Sequence, residues 1–399
     1  MTALRLVALT GADGVLLAIP MITACVFALW LQVRDPVLLA GSALGGLAIH
    51  GSVVYWAFYV FHDNGRYLGI ALLVLEIAAV VVLTVSDRGA VIRPVAALAL
   101  PAVAALVFTV FVLSFGLVHG GTKTPVEAAS SRFIAVLPPD NSVPFILAHA
   151  VESDRRPLPD PLYGNWSPSD RPPLQTGIYL STTSVLGLEK SELQYSVVSS
   201  LLQSLWLLGI WAFFAAARTS RALAALTTAA ILFSGFTLVN TLYVWPKLLS
   251  AAYLLVVAAI FLTSCSSRIV EERGCATVLG MCVAGALLAH NGAFIALIAL
   301  AAYLLLRRRV PPWTLVVPAA VVAALVVAPW IAYQKFVDPP GDKLLKLQVA
   351  GILNIDTPHS FTHELVHHYR RIGPEKAITN KLDNVVLPFR NEDELARDA

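Results

Sequence analysis

The feature that most constrains this chain is the near absence of charge from two long stretches. Residues 1–119 and residues 193–334 each carry only 10 Asp, Glu, Lys or Arg, whereas 33 of the 53 charges fall in segments 120–192 and 335–399. The charged fraction of 13% is about half that of a typical soluble domain. The pattern excludes disorder, disfavours a soluble globular enzyme and predicts an all-α polytopic membrane protein. The net charge of +3 is small and dispersed, so no nucleic-acid partner is expected.

Apolar runs of about 20 residues are long enough to cross the hydrocarbon core of a bilayer. We predict ten such spans. The ninth could form a hairpin with the eighth, or the two could be one bent helix, since only His290-Asn291-Gly292 divides them. The predicted spans lie near residues 13–32, 37–61, 67–85, 94–118, 195–217, 222–242, 247–265, 275–290, 291–307 and 313–334.

The basic residues of the short loops predict the orientation, because positively charged loops stay in the cytoplasm. If the loop at 120–192 is external, the external short loops hold only Arg66 and Lys247. The tail at 335–399 then lies on the same external face. The cytoplasmic loops hold all of the following: Arg34, Arg88, Arg93, Arg218, Arg221, Arg268, Arg273, Arg307, Arg308 and Arg309.

The loop at 120–192, after the fourth span, holds ten of the 24 prolines and no apolar run long enough to cross. Proline fixes φ, so the loop is expected to follow a specified path. Helical spacing of apolar residues predicts a short amphipathic helix from about Ser142 to Ser153, capped by Asn141 or Ser142. Asp140 stands just before it, where the helix dipole favours an anion or a metal–anion pair.

These residues resemble those of a known superfamily. Asp140 after a span, a following helix, Asp170-Arg171-Pro172-Pro173-Leu174, and YVWPKLL at 243–249 look like the GT-C fold of polyprenyl-phosphate-dependent glycosyltransferases. The bacterial relatives of protein O-mannosyltransferases are the most similar. There, an external loop carries a catalytic aspartate, and many members have a second motif, D-H-P-P-L, with histidine where this chain has Arg171. The resemblance covers 94–334, so we predict a GT-C-like core there, an N-terminal addition at 1–93 and an external tail at 335–399.

The resemblance implies roles for both aspartates. Asp140 would be a catalytic base or a metal-linked carboxylate, and its alternative role is a helix cap. Asp170 would be a second catalytic acid, and its alternative is an Asx-turn before Pro172. Transfer from a lipid phosphate needs a base for the acceptor hydroxyl and positive charge for the leaving group. A divalent cation, Mg²⁺ or Mn²⁺, could supply that charge between the two aspartates.

Four further residues are candidate substrate contacts. Arg171 could grip phosphate, or pair with Asp170 or Asp160. Lys247 could meet the donor phosphate, or snorkel to the interface. Trp166 and Tyr163 could stack on a sugar, or be interfacial aromatics.

The function we expect is transfer of a sugar from a polyprenyl-phosphate-linked donor to a cell-envelope glycan, lipid or protein. The site would face the periplasmic or extracellular side of a bacterial plasma membrane. A carrier or flippase for envelope glycolipids is the alternative. Transport predicts charged residues within the spans, and only Glu76 qualifies by sequence. In the tail, His359, His363, His367 and His368 have helical spacing, which fits a zinc site or a solvated helix lying on the membrane.

Overall fold

The computed structural model describes residues 3–86, 88–118, 124–131, 137, 139–153, 156–187, 191–264, 274–352, 357 and 359–386. Within these ranges the chain is helical and contains no β-strand. The helices are α1 (Ala3–Trp30), α2 (Pro36–Phe61), α3 (Gly65–Ser86), α4 (Arg88–Leu117), α5 (Pro125–Ser130), α6 (Val143–Glu152), α7 (Leu174–Leu186), α8 (Glu192–Ser204), α9 (Trp206–Ala216), α10 (Arg221–Leu232), α11 (Gly235–Tyr243), α12 (Lys247–Ser264), α13 (Cys275–Ala289), α14 (Ala293–Leu306), α15 (Trp313–Phe336), α16 (Lys343–Leu345) and α17 (Phe361–Val386).

The length and composition of the helices confirm a helical membrane protein. Among the described residues five helical stretches are long and apolar enough to span a bilayer, or six if the bent pair α10 and α11 counts as one span. Three shorter apolar helices, α12, α13 and α14, lie at the positions of the remaining predicted spans. Large apolar side chains stay exposed along α3 and α4, for example Leu75, Val82, Leu100 and Val107. Such surfaces suit contact with hydrocarbon rather than water.

The break between α13 and α14 divides two separate helices. His290 has extended backbone, with φ −154° and ψ 127°, and ends α13. α13 packs along α12 and α15, whereas α14 makes few contacts with the bundle. The aromatic ring of His290 lies 6.3 Å from that of Trp245, just before α12, so the chain turns at the end of the bundle where α12 begins.

The helix ends on the side of the bundle that carries the loop at 120–192 lie at two levels. Gly280 of α13 packs directly against Ala319 of α15. From that contact α13 continues for nine residues and α15 for 17, so α15 extends about 12 Å farther at 1.5 Å per residue. Counted in the same way from the contact of Gly45 with Met281, α2 also extends about 12 Å beyond the end of α13. A depression therefore lies over α12 and α13, between the projecting ends of α2 and α15.

Helix α7 packs mainly on α2 and also contacts α3, α6 and α8. A Cβ on Gly177 would overlap the carbonyl oxygen of Gly51, so the two backbones touch where both residues are glycine. Residues 174–183 of α7 are buried. Helix α2 also packs against α12 and α13, so the N-terminal helices at 1–93 form one bundle with the helices that follow.

The loop at 120–192 and the start of the tail lie at the same end of the bundle. The side-chain amide of Gln334, in the last turn of α15, donates to the carbonyl of Ser169 at 2.8 Å. The carboxylate of Asp338 accepts from the amide of Ser169 at 2.7 Å. At the opposite end, Val33 after α1 packs against Gly274 before α13. Arg268, Arg273 and tail residues 387–399, which entered the orientation and tail predictions, lie outside the described residues.

Glu76 has a partner inside the bundle. Its Oε1 lies 2.9 Å from Nδ1 of His50, and Nε2 of His50 lies 2.7 Å from Oγ of Ser181. This chain of hydrogen bonds joins α3, α2 and α7. Asp13 of α1 is also fully buried and accepts from Gln194 of α8 at 3.4 Å. The expectation that Glu76 alone is an acid within the spans was therefore wrong, because α1 begins at Ala3 and carries Asp13 into the bundle.

His50 is expected to stabilise the packing of α7 on the bundle. Replacing His50 with alanine removes two hydrogen bonds and leaves the Glu76 carboxylate without its partner. Hydrogen bonds between membrane helices contribute about 0.6–1.7 kcal/mol each, and an unpaired buried charge adds to the loss. We expect a free energy of unfolding lower by about 2 kcal/mol or more, measured by thermal unfolding in detergent. His368→Ala in the tail is the control, and equal melting of the two variants would contradict the role.

Candidate functional site

Asp140 and Arg171 meet across the loop. Asp140 lies in a 3₁₀ turn, Pro139–Ser142, and Nη2 of Arg171 donates to its Oδ2 at 3.2 Å. The Arg171 side chain is 6% exposed and that of Asp140 is 18% exposed. A nearly buried guanidinium thus fixes a carboxylate that keeps access to solvent. The partner of Arg171 is Asp140, rather than the Asp170 or Asp160 considered from the sequence.

The predicted amphipathic helix is confirmed as α6, but its capping differs from the prediction. Ser142 is the cap residue and makes no side-chain cap hydrogen bond. The Asn141 amide instead donates to the carbonyl of Val126 at 3.2 Å. The 3₁₀ turn runs directly into α6, so no extended residue stands at its start to bring a side chain over the first turn. Asn141 serves to fasten the Asp140 turn to α5.

Trp166 supports Arg171. The guanidinium carbon of Arg171 lies 4.4 Å from the centroid of the indole, a cation–π contact that holds the guanidinium plane. A tight turn positions Trp166. In this turn the backbone of Trp166 pairs with that of Tyr163, and Gly164 between them has φ +56°. Arg171 therefore covers one face of the indole. The stacking of Trp166 or Tyr163 on a sugar remains a prediction.

A small recess lies beside this pair, and its volume of about 10 Å³ has room for about one water molecule. Two loop segments, the turn before α12 and the end of α13 form its walls. The residues that line it are Asp140, Asn141, Pro144, Arg171, Pro172, Gln175, Val244, Trp245, Pro246, Ala289, His290 and Leu344. Side chains far apart in sequence thus converge at this end of the bundle.

Three of these side chains each carry a buried N–H donor with no partner among the described residues: Nε of Arg171, Nε1 of Trp245 and Nε2 of His290. Nδ1 of His290 accepts from the amide of Gly292 at 2.9 Å, so in the neutral ring the proton is on Nε2. Leaving buried donors unpaired costs about 1–3 kcal/mol each. Two further buried atoms of the lining, Oδ1 of Asn141 and Oε1 of Gln175, are acceptors without a partner, so a ligand held here would meet both donors and acceptors.

Lys247 lies at the edge of this recess. It is exposed, and its ammonium is 3.9 Å from the ring centroid of Trp245. The indole therefore holds a positive charge beside the three unpaired donors. This position fits the predicted contact with an anionic donor, and it is also where a snorkelling lysine would lie.

Asp170, unlike Asp140, does not line the recess. Its side chain is almost fully buried, and its Oδ2 accepts from the amide of Ser167 at 2.9 Å, closing the turn that precedes Arg171. This bond runs back three residues, as in a capping box with Asp170 at its third position, and is not the Asx-turn before Pro172 considered from the sequence. Asp170 thus shapes the backbone that presents Arg171, while Asp140 and Arg171 face the recess.

The two aspartates do not fit a divalent cation that both would hold. Asp170 points into its own turn, and Oδ2 of Asp140 is paired with a guanidinium. A shared cation would need both carboxylates to face one point with oxygens about 2 Å from it. The Mg²⁺ or Mn²⁺ site expected between them therefore stays a prediction without support from these contacts.

Burial raises the pKa of Asp170 from 3.8 to about 6, although the Ser167 amide and the charges of Lys343 and Arg171 oppose the shift. The folded state therefore binds this proton more tightly than the unfolded chain, so stability should fall as the pH rises from about 4 to about 6 and level off above. Asp170→Asn removes this charge while keeping an acceptor for the Ser167 amide. We expect the variant to flatten the pH dependence of the melting temperature in that window. Unchanged pH dependence would contradict the assignment.

Sequence reasoning missed Trp245 and His290 as site residues. The motif YVWPKLL drew attention to Lys247, and His290 was noted only as part of a break between two apolar runs. An imidazole in a break at the outer end of a span is the signal that could have identified it. In the tail, the order His363-Glu364-Leu365-Val366-His367 was also missed, because the histidines were read by helical spacing alone.

Comparison with family models, with curated proteins and with solved structures found no match to this chain.

Proposed function

We propose that the protein is a membrane glycosyltransferase that moves a sugar from a polyprenyl-phosphate-linked donor to an acceptor hydroxyl. The observation that carries the proposal is the recess itself. One carboxylate, Asp140, faces it together with three buried, unpaired N–H donors, and an ammonium stands at its edge. Donors that converge in this way suit a phosphate group, and a carboxylate beside them suits removal of a proton from a hydroxyl.

The reaction assigns a role to each group. Asp140 accepts the proton of the acceptor hydroxyl as its oxygen forms a bond to the anomeric carbon of the sugar. The bond between that carbon and the phosphate oxygen breaks, and the electron pair leaves with the polyprenyl phosphate. The N–H groups of Arg171, Trp245 and His290 stabilise the charge on the leaving phosphate, assisted by Lys247. Arg171 also holds Asp140 in position through Oδ2.

The position of the recess suits a lipid-linked substrate. It lies at the outer ends of α12 and α13, where a polyprenyl tail would remain in the bilayer while its phosphate reaches the recess. With the loop orientation predicted from the basic residues, this face is periplasmic or extracellular in a bacterial plasma membrane. The acceptor is then an envelope glycan, lipid or protein.

The experiment that tests the function uses the full chain purified into proteoliposomes. Vesicles are supplied with a decaprenyl- or undecaprenyl-phosphate-linked radiolabelled sugar and an envelope extract, and label in the acceptor fraction is followed over time. Transfer that depends on the wild-type protein supports the proposal. Movement of labelled lipid between leaflets without transfer of sugar would contradict it and favour the carrier alternative.

The carrier alternative rests on a different part of the molecule. Asp13, His50 and Glu76 lie within the bundle and are hydrogen-bonded between helices. Ionisable residues inside spans often form proton relays in transporters. A carrier of this kind should lose lipid movement in Asp13→Asn and Glu76→Gln, measured by accessibility of labelled lipid to an impermeant quencher. A glycosyltransferase should keep sugar transfer in any such variant that folds.

A further inference from the structure

The strongest cluster of metal-ligating side chains outside the recess lies at the start of α17. His359 precedes this helix, and His363 and Glu364 are in its first turn. Ligand atoms of the three side chains all lie within 4.8 Å of one another. The imidazole centroids of His359 and His363 are 4.4 Å apart, and that of His367 is 6.1 Å from His363. Two imidazoles and a carboxylate form a donor set that zinc uses in proteins.

The sequence places a zinc-binding pattern on the same helix, although the ligands of that pattern would be His363 and His367. Residues 363–367 read His-Glu-Leu-Val-His, the order in which a helix presents two histidines on one face for zinc. In that pattern the glutamate usually acts as a base. Here Glu364 is grouped with His359 and His363, and His367 lies one turn farther along. The arrangement therefore favours Glu364 as a ligand and a binding site rather than a peptidase site.

The ligand atoms of the three side chains must move somewhat closer together to bind an ion. Tetrahedral zinc with Zn–N bonds of about 2.0–2.1 Å holds its ligand atoms about 3.3 Å apart. The side chains of His359 and His363 are exposed and can rotate to close the gap, whereas Glu364 is mostly buried. An ion so held would link the segment before α17 to its first turn.

We propose that His359, His363 and Glu364 bind one Zn²⁺ ion at the start of the tail helix, with His367 or water as the fourth ligand. This proposal is independent of the glycosyltransferase function, because none of these residues lines the recess.

The test uses the full chain in detergent without a polyhistidine tag, stripped of metal by a chelator and then titrated with Zn²⁺ by calorimetry. We expect one ion per chain, and tetrahedral Co²⁺ bound in its place should give the visible absorption typical of that geometry. His363→Ala should weaken Zn²⁺ binding by at least about tenfold, since loss of even a hydrogen-bond partner of a ligand costs about 10- to 100-fold. Glu364→Gln should weaken it as well.

His368→Ala is the matched control, because His368 neighbours the cluster but contacts Arg371 instead. It should bind Zn²⁺ as wild type does, and circular dichroism should show equal helix content in all variants. Absence of stoichiometric binding, or equal affinity of the His363 and His368 variants, would overturn the site. Asp140→Asn should bind Zn²⁺ normally, so the outcome is separate from that of the transfer assay.

Discussion

Asp140→Asn is expected to lower the rate of sugar transfer at saturating donor by about 10²–10⁴-fold, the usual contribution of a positioned general base. Asparagine has nearly the same shape and can still accept the hydrogen bond from Nη2 of Arg171. The recess should therefore keep its structure while losing the group that takes the proton. The measurement is the initial rate in proteoliposomes, with donor and acceptor varied separately.

The matched control is Asp63→Asn, which makes the same chemical change in an exposed loop outside the recess. It should transfer sugar at the wild-type rate. The melting temperature of both variants in detergent must stay near that of wild type, so that a loss of rate reports on chemistry. Transfer by a folded Asp140→Asn protein at more than about one tenth of the wild-type rate would contradict the role of Asp140 as base.

Arg171→Lys is expected to weaken binding of the lipid-phosphate donor while changing the turnover number less. Lysine keeps the positive charge but loses the unpaired Nε–H and the planar group that stacks on Trp166. Hydrogen bonds to charged groups contribute about 1.5–3 kcal/mol, so KM for the donor should rise by about 10- to 100-fold. Arg171→Ala should also lower stability, since the side chain is nearly buried against Asp140.

Arg370→Lys provides the control for the arginine-to-lysine change, because Arg370 is exposed on the tail helix. Its kinetic constants should match those of wild type. A donor KM that is unchanged in Arg171→Lys would show that the guanidinium does not meet the phosphate. A fall in turnover number alone would indicate that Arg171 acts only by positioning Asp140.

The helices of the bundle could be predicted from the sequence because each coincides with an apolar run. Apolar runs of this length determine which segments enter the membrane. Helix α7 could not be found in this way. Its sequence, LQTGIYLSTTSVL, is rich in polar residues, so it looks like part of a soluble loop. In the fold several of its polar side chains are hydrogen-bonded locally or to neighbours. Thr182, Thr183 and Ser184 donate to carbonyls within α7.

The candidate site was predictable in part. Asp140 and Arg171 stood out by their place in a proline-rich loop, but their pairing across 31 residues depends on how α6 and α7 pack. The recess could not be foreseen, because its walls come from segments that are far apart in the sequence. The packing of the turn before α12 against the end of α13 brings Trp245 and His290 beside Asp140, and no pattern within a single segment encodes it.

The central claim, that the recess over α12 and α13 receives the phosphate of a lipid-linked sugar, is tested most directly by photo-crosslinking. A polyprenyl phosphate carrying a photoreactive group next to its phosphate is incubated with the full chain in proteoliposomes, irradiated, and mapped by mass spectrometry of the peptides. We expect saturable labelling in the segments around residues 140–144, 171–175 and 244–247, suppressed by unlabelled polyprenyl phosphate and reduced in Arg171→Lys. Labelling that is not saturable, or that is confined to the apolar groove between α1 and α4, would contradict the claim.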